Sequence, residues 1–289
     1  MTKTIGLAPL KDFTKYVLYS GLVKNAVRPV SGLIVAPPER GKSTEAQRYE
    51  GLGIVLMQDA TSFGIDQFIL KLNDDERKLF HHIVIPDLEK IGARNRSVRE
   101  ELLSKQRILM DEGLQRVCTA RDTLELKKPI KLGFLMCTTP EDIGDKRSVF
   151  RSLSWQSRCI PFTFEISDDL KVQILDFIEE EEHYKLQRKD FKRNKKVTVI
   201  LDRRYAKKLT RPAILLAREL ERFSRRDPIS KMNGSLIGIR AKENFMTLLK
   251  SIALYHGRRI VEKSDYLEFM RLFHWMNYDF NKIDEAESV

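Results

Sequence analysis

Lys42 and Ser43 close a loop whose residue types suit anions. Ala36-Pro37-Pro38-Glu39-Arg40-Gly41-Lys42-Ser43 fits G-x-x-x-x-G-K-[ST] everywhere but its first position, where alanine replaces glycine. In that pattern the loop N–H groups and the next helix N-terminus face phosphate oxygens. The lysine reaches the outer phosphates and the hydroxyl holds Mg²⁺. Thr44 follows in the first helical turn and belongs to the same cradle. By itself the pattern also fits a chance surface loop. Its context argues for the cradle, because an apolar run from Gly32 to Val35 precedes it and a helix is expected from Lys42 to about Tyr49.

Two later runs supply polar groups of the kind such a site needs. His82-Ile-Val-Ile-Pro-Asp87 is an apolar strand ending in an acid, and Glu89 follows after Leu88. Asp87 is the candidate metal carboxylate and Glu89 the candidate base for an attacking water. Glu89 also suits a helix N-terminus, where the dipole favours a carboxylate. Ile130 to Thr139 is a buried run ending in Thr138 and Thr139. Hydroxyls at the carboxyl end of a central strand lie where α/β folds place ligands. They equally suit a helix N-cap before Glu141 and Asp142, and one threonine could do each job.

The elements that must hold these groups alternate along the chain. Strands are expected at Gly32–Val35, Gly53–Ala60, His82–Pro86, Ile130–Thr139 and the alternating Ile160, Phe162, Phe164 and Ile166. Helical stretches separate them at 42–49, 65–72, 94–110 and 141–155, after a helical lead-in over 1–31. Such alternation implies a mostly parallel sheet. Leu114–Arg121 and Leu124–Lys128 are expected to form a β-hairpin carrying Arg116, Arg121, Lys127 and Lys128, as a DNA-contact loop or simply a charged surface hairpin. Helices are expected again at 168–184, 213–223, 240–255 and 266–277.

Charge is concentrated. The 289 residues carry a net charge of +11, and Lys185 to Arg211 holds twelve Lys/Arg against Asp190 and Asp202. A basic segment of this density, with Lys189, Lys192, Arg193, Lys195 and Lys196 at its centre, suggests a polyanion partner, nucleic acid first. A solvated, salt-bridged face is the plainer alternative. No apolar segment approaches the roughly 20 residues that span a bilayer, and Met1–Lys11 lacks a signal-peptide core, so the cytoplasm is the expected location. Cys118, Cys137 and Cys159 are widely spaced and odd in number, and are read as buried free thiols.

In this order the motifs resemble the AAA+ branch of P-loop ATPases, over roughly Leu22 to Asn277. Ala36–Ser43 looks like Walker A, and Ile83–Asp87 with Glu89 looks like a diverged Walker B. Thr138-Thr139 looks like sensor 1. Ser157-Arg158-Cys159 is similar to the S-R-C and S-R-F boxes of clamp loaders and minichromosome maintenance helicases. The Ile239–Asn277 segment, with V-x-x-x-D-Y at Val261–Tyr266, is similar to the helical lid of the minichromosome maintenance and origin-recognition groups. The resemblance implies that Arg158 enters a neighbouring subunit's ATP site and that Arg240 is sensor 2, on the γ-phosphate of its own chain. It also makes the Leu114–Lys128 hairpin a presensor-1 hairpin. The chain departs from the family at Ala36, at Pro86, and at the separated acids Asp87 and Glu89.

The expected architecture is therefore an α/β P-loop NTPase sheet flanked by helices, with a smaller all-α lid. Residues 1–21 would be the lead-in, 22–168 the nucleotide domain, 169–211 an acidic-then-basic connector and 212–289 the lid. The expected activity is Mg²⁺-dependent ATP hydrolysis in a hexameric ring or filament. Its output would be helicase loading or movement on DNA, with a helicase or initiator protein as a possible partner. The alternatives are an ATP-dependent assembly switch with weak hydrolysis and a protein-remodelling ATPase.

Overall fold

Five apolar runs become the strands of one parallel sheet. In this computed structural model the described residues are 7–51, 53–92, 95–118, 123–144, 153–164, 166, 168–172, 189–190, 195–225 and 236–278. The strands are β1 (Ser31–Val35), β2 (Tyr49–Glu50), β3 (Ile54–Leu56), β4 (His82–Ile85), β5 (Leu114–Cys118), β6 (Thr123–Ile130), β7 (Gly133–Thr138), β8 (Cys159–Thr163) and β9 (Lys189–Asp190). The main sheet has the order β3-β4-β7-β1-β8. Every pairing in it is parallel. Residues of β1, β4, β7 and β8 are all buried, the uninterrupted apolar pattern of parallel strands covered on both faces. The strand expected over 53–60 is shorter, at Ile54–Leu56.

The order puts β7 between β1 and β4. Val35 lies opposite Thr138, and Ile85 lies opposite Met136. The loop after β1, the two threonines and Asp87 therefore leave the sheet at the same edge, from three adjacent strands.

The lead-in helix Ala8–Tyr19 locks this sheet to the C-terminal helices. It buries Leu10, Phe13, Tyr16, Val17 and Leu18. Phe13 stacks on Phe162 of β8 with ring centroids 4.6 Å apart. Tyr16 meets Tyr255 edge-on at 5.3 Å and its hydroxyl donates to Glu268. Asp12 pairs with Arg271 at 2.6 Å. The C-terminal residues form helices Arg203–Lys208, Thr210–Arg225, Ile239–Tyr255 and Lys263–Phe273. Phe245 packs between Phe269 and Phe273, at 5.1 and 5.6 Å, in a buried cluster continuous with the sheet's core. The hairpin forms as β5 and β6, antiparallel, with a register shift between Leu114 and Arg116.

A buried histidine pair sits at the opposite end of β4. His81 and His82 are fully enclosed. Their Nδ1 atoms lie 2.6 Å apart, and His82 Nε2 lies 3.0 Å from the Val30 carbonyl. A carbonyl only accepts, so His82 carries its proton on Nε2, its Nδ1 accepts, and His81 Nδ1 donates. His82 is thus neutral, and burial lowers the pKa of both rings. Gly21 and Gly133 make room for them: a Cβ at either would come within 2.3 Å of a ring atom.

Candidate functional site

The loop after β1 turns back on itself through two left-handed residues, Glu39 (φ 62°) and Gly41 (φ 74°). Glycine adopts this conformation without penalty, while a glutamate there is strained, as residues at ligand clamps often are. Ala36 does not share the left-handed conformation, so its Cβ is accommodated where the pattern has glycine. Its N–H donates to the Thr138 carbonyl at 3.4 Å, tying the loop to β7.

Lys42 opens the short helix Lys42–Ala46 and is buried. Its Nζ donates to the Pro37 carbonyl at 3.0 Å, inside the loop. Burial lowers its pKa, and the nearby acids Asp87, Asp142 and Glu141 act in the opposite direction. An ammonium confined beneath a loop and held only by a carbonyl is placed to receive an anion. Ser43 Oγ donates to the Pro86 carbonyl at 2.6 Å, which sets the serine beside the residue preceding Asp87. Both candidate metal ligands are therefore neighbours. Asp87 Oδ1 accepts the Glu89 N–H at 3.0 Å. Asp87 thereby caps the turn Glu89–Gly92, and the Glu89 side chain points outward, exposed.

Both threonines face one carboxylate. Thr139 Oγ1 donates to Asp142 Oδ2 at 2.8 Å and accepts the Asp142 N–H at 3.3 Å. That is the helix cap. Thr138, buried, donates more weakly to the same oxygen at 3.4 Å. Asp142 is the residue that the sequence pattern did not single out. Its signal, Thr-Thr-Pro-Glu-Asp, reads equally well as an ordinary helix start.

Cys137 lies under the loop, its thiol donating to the Lys42 carbonyl at 3.6 Å. Burial pushes its pKa up to about 12. Cys159 is likewise buried and shifted upward by burial, whereas Cys118 is exposed, contrary to its expected burial. In the native protein iodoacetamide should therefore modify Cys118, and label Cys137 and Cys159 only after denaturation; peptide mass mapping checks this.

The arginines gather elsewhere. Arg158 immediately precedes Cys159, which pairs with Ser31, whereas the loop begins beyond Val35. Four residues of strand separate the two edges by about 13 Å. Arg158 pairs with Asp111 at 2.8 Å and also donates to the Ser154 carbonyl. Arg240 reaches the same Asp111 oxygen at 3.3 Å and Ser157 Oγ at 3.3 Å. Arg28 takes the other Asp111 oxygen at 2.7 Å and pairs with Glu243 at 2.9 Å. A cavity of about 600 Å³ opens here, lined by Arg28, Asp111, Ser157 and Arg240 and by apolar residues that include Leu216 and Leu220. Arg240, expected at its own chain's γ-phosphate, here rests on Asp111 and Ser157. The start of its helix packs at the sheet edge away from Lys42, and its guanidinium joins Arg158 on one acid.

Of the candidate nucleic-acid residues, Arg116 is exposed on β5. Lys189 lies in β9, which pairs with β2. Lys195 and Lys196 are exposed just before Val197, whose N–H donates to the Leu22 carbonyl at 2.8 Å. Arg121, Lys192 and Arg193 lie outside the described residues. Among the described residues no helix is long and apolar enough to cross a membrane.

No family model and no curated protein matches this chain. The fold is a mostly parallel five-stranded α/β sheet flanked by helices, an arrangement compatible with a P-loop NTPase.

Proposed function

We propose that this chain is an ATPase of the AAA+ type that binds Mg²⁺-ATP in the loop Ala36–Thr44 and hydrolyses it at an interface between subunits. The observation that carries the reading is the meeting of Lys42, Ser43, Asp87, Thr138 and Thr139 at one edge of a parallel sheet. Loop N–H groups and Lys42 would hold the phosphates. Ser43 and Asp87 would hold Mg²⁺, which neutralises charge on the phosphate oxygens when bound. Thr138 and Thr139 would hand their hydroxyls from Asp142 to the γ-phosphate or to the attacking water. Glu89, exposed one turn from Asp87, would orient and deprotonate that water.

Arg158 and Arg240 lie at the other edge, so they would serve a nucleotide held by another chain. For Arg240 this differs from the same-chain sensor role that the resemblance implies. One edge of a subunit against the opposite edge of the next is a heterologous contact, which closes into a ring or extends as a filament. A hexameric ring working on DNA, as a motor or helicase loader with a helicase or initiator partner, is the output that the basic segment supports.

A second reading, a switch that binds ATP but turns it over weakly, is favoured by the exposure of Glu89 and by Leu88 between the acids. Glu89→Gln separates the two. As the base, it should lower ATP turnover about 10²–10⁴-fold while nucleotide binding persists. Negligible turnover in the wild type, unchanged by Glu89→Gln or by DNA, would assign the switch.

A further inference from the structure

We propose that the outer face of helices Arg203–Lys208 and Thr210–Arg225 docks the sugar-phosphate backbone of duplex nucleic acid. The proposal deepens the DNA half of the reading above and does not depend on ATP hydrolysis.

Leu209 joins the two helices in a right-handed helical conformation (φ −72°, ψ −10°), which carries the helical spacing across the junction. The inner side buries Leu209, Ala213, Leu216, Ala217 and Leu220. The outer side exposes Arg203, Arg204, Lys207, Lys208, Arg211, Arg218 and Arg222. At 3.6 residues per turn these seven fall within an arc of about 140°.

Among the described residues little neutralises them. Arg204 pairs with Asp202 at 2.9 Å, and Lys208 lies over the rings of Tyr205 and Tyr266 at 5.7 and 5.2 Å. Arg203, Lys207, Arg211, Arg218 and Arg222 form no ion pair with a described carboxylate. The two acids of the longer helix, Glu219 and Glu221, are half-buried and accept the backbone N–H groups of Tyr278 and Leu236. Like charges four residues apart, as at Arg203/Lys207, Lys207/Arg211 and Arg218/Arg222, destabilise a helix on their own. An external polyanion removes that repulsion.

The shape selects the polyanion. A membrane-surface helix needs a free apolar face, and here the apolar face is committed to the core; Ile214 and Leu215 are exposed among the basic residues but do not make a face of their own. A helix about 10–12 Å across fits the roughly 12 Å major groove of B-DNA. Seated there, Arg203 and Lys207 would flank one phosphate strand, with Arg204, Lys208 and Arg222 on the side of the other. Contacts of this kind set position and read no sequence.

The test is fluorescence anisotropy of the full chain with a labelled 30-base-pair duplex across a salt series. In one variant Arg203, Lys207, Arg211, Arg218 and Arg222 all become glutamine. Binding of a fluorescent ATP analogue and the thermal melt verify that the variant is folded. The expected result is at least 100-fold weaker duplex binding at low salt. The slope of log K against log salt should also become shallower by about 4. Lys71→Gln/Lys78→Gln, exposed and off this face, should retain most of the affinity. An unchanged slope in the five-residue variant overturns the proposal. So does a face that prefers polyglutamate or anionic vesicles to the duplex. Duplex binding through this face without ATP turnover would keep the proposal and remove the ATPase reading. ATP turnover with no duplex binding would do the reverse.

Discussion

Arg158→Ala should lower ATP turnover by roughly 10³–10⁵-fold while nucleotide affinity stays nearly unchanged. The two effects separate because the side chain lies at the sheet edge opposite its own Lys42. The chain's own loop remains intact, and only the site of a neighbouring chain loses a cation. Turnover measured after mixing Arg158→Ala with Lys42→Ala distinguishes this from a local defect. Each variant is inactive alone, yet an equal mixture forms some interfaces with a whole loop and a whole arginine, so activity reappears. Full turnover by Arg158→Ala alone would remove the arginine from the mechanism. The substitution also breaks the pair with Asp111, at a cost on the order of 1–3 kcal/mol. Arg28 and Arg240 still compensate that acid, so the protein should fold, and a thermal melt would verify it. The sharing has a further consequence. To reach a neighbour's phosphate, Arg158 must leave Asp111, and two other guanidinium groups are already there to take its place.

The second large effect is on stability in mild acid. Burial lowers the pKa of His82 to about 4 and that of His81 well below the usual histidine value. In the unfolded chain both titrate near 6.5. Between those values the unfolded state binds more protons, so stability rises with pH there. The contribution is complete above about pH 6.5 and is lost as the pH falls toward 4. For His82 alone the loss is roughly 3 kcal/mol, at 1.36 kcal/mol per pKa unit. Urea midpoints should fall between pH 7 and pH 5, a window above the titration of most carboxylates. His82→Gln keeps an N–H for the Val30 carbonyl but cannot titrate, and should flatten that dependence. A wild-type midpoint that is level from pH 7 to pH 5 would sink the assignment.

The parallel sheet and the phosphate loop were legible because each is a local pattern. β4 and β7 lie within the apolar runs expected for them, β1 and β8 each begin one residue earlier, and β3 is a shortened version of its run. The turn at Gly41 is inherent in its residue type. What lay beyond the sequence depends on contacts between distant segments. Nothing near Asp111 in the chain announces that Arg28, Arg158 and Arg240 converge on it. Arg240 was expected at its own chain's γ-phosphate because the start of a lid helix suits that role. The edge on which the helix packs is set by tertiary contacts such as Asn244 Nδ2 donating to the Arg158 carbonyl at 3.2 Å. The two threonines illustrate competition at a single spot. Thr139 makes the cap that an N-terminal threonine favours, and Thr138 turns to the same acid. The basic stretch was visible as charge. Its continuation as one helical face from Arg203 to Arg222 needed the burial of Leu209, Ala213, Leu216 and Leu220 to orient it.

The seam between the first and the last of the described helices gives the protein a schedule. Tyr16 bonds Glu268 and Asp12 bonds Arg271, partners 252 and 259 residues away. At the fastest usual synthesis rate of about 20 residues per second, roughly 13 s pass between the emergence of the two sides. Throughout that interval Phe13, Tyr16 and Val17 wait with their C-terminal cover missing. The loop after β1, whose Gly41 lies against Leu7 at the start of the same helix, therefore gains this support only once Arg271 has left the ribosome.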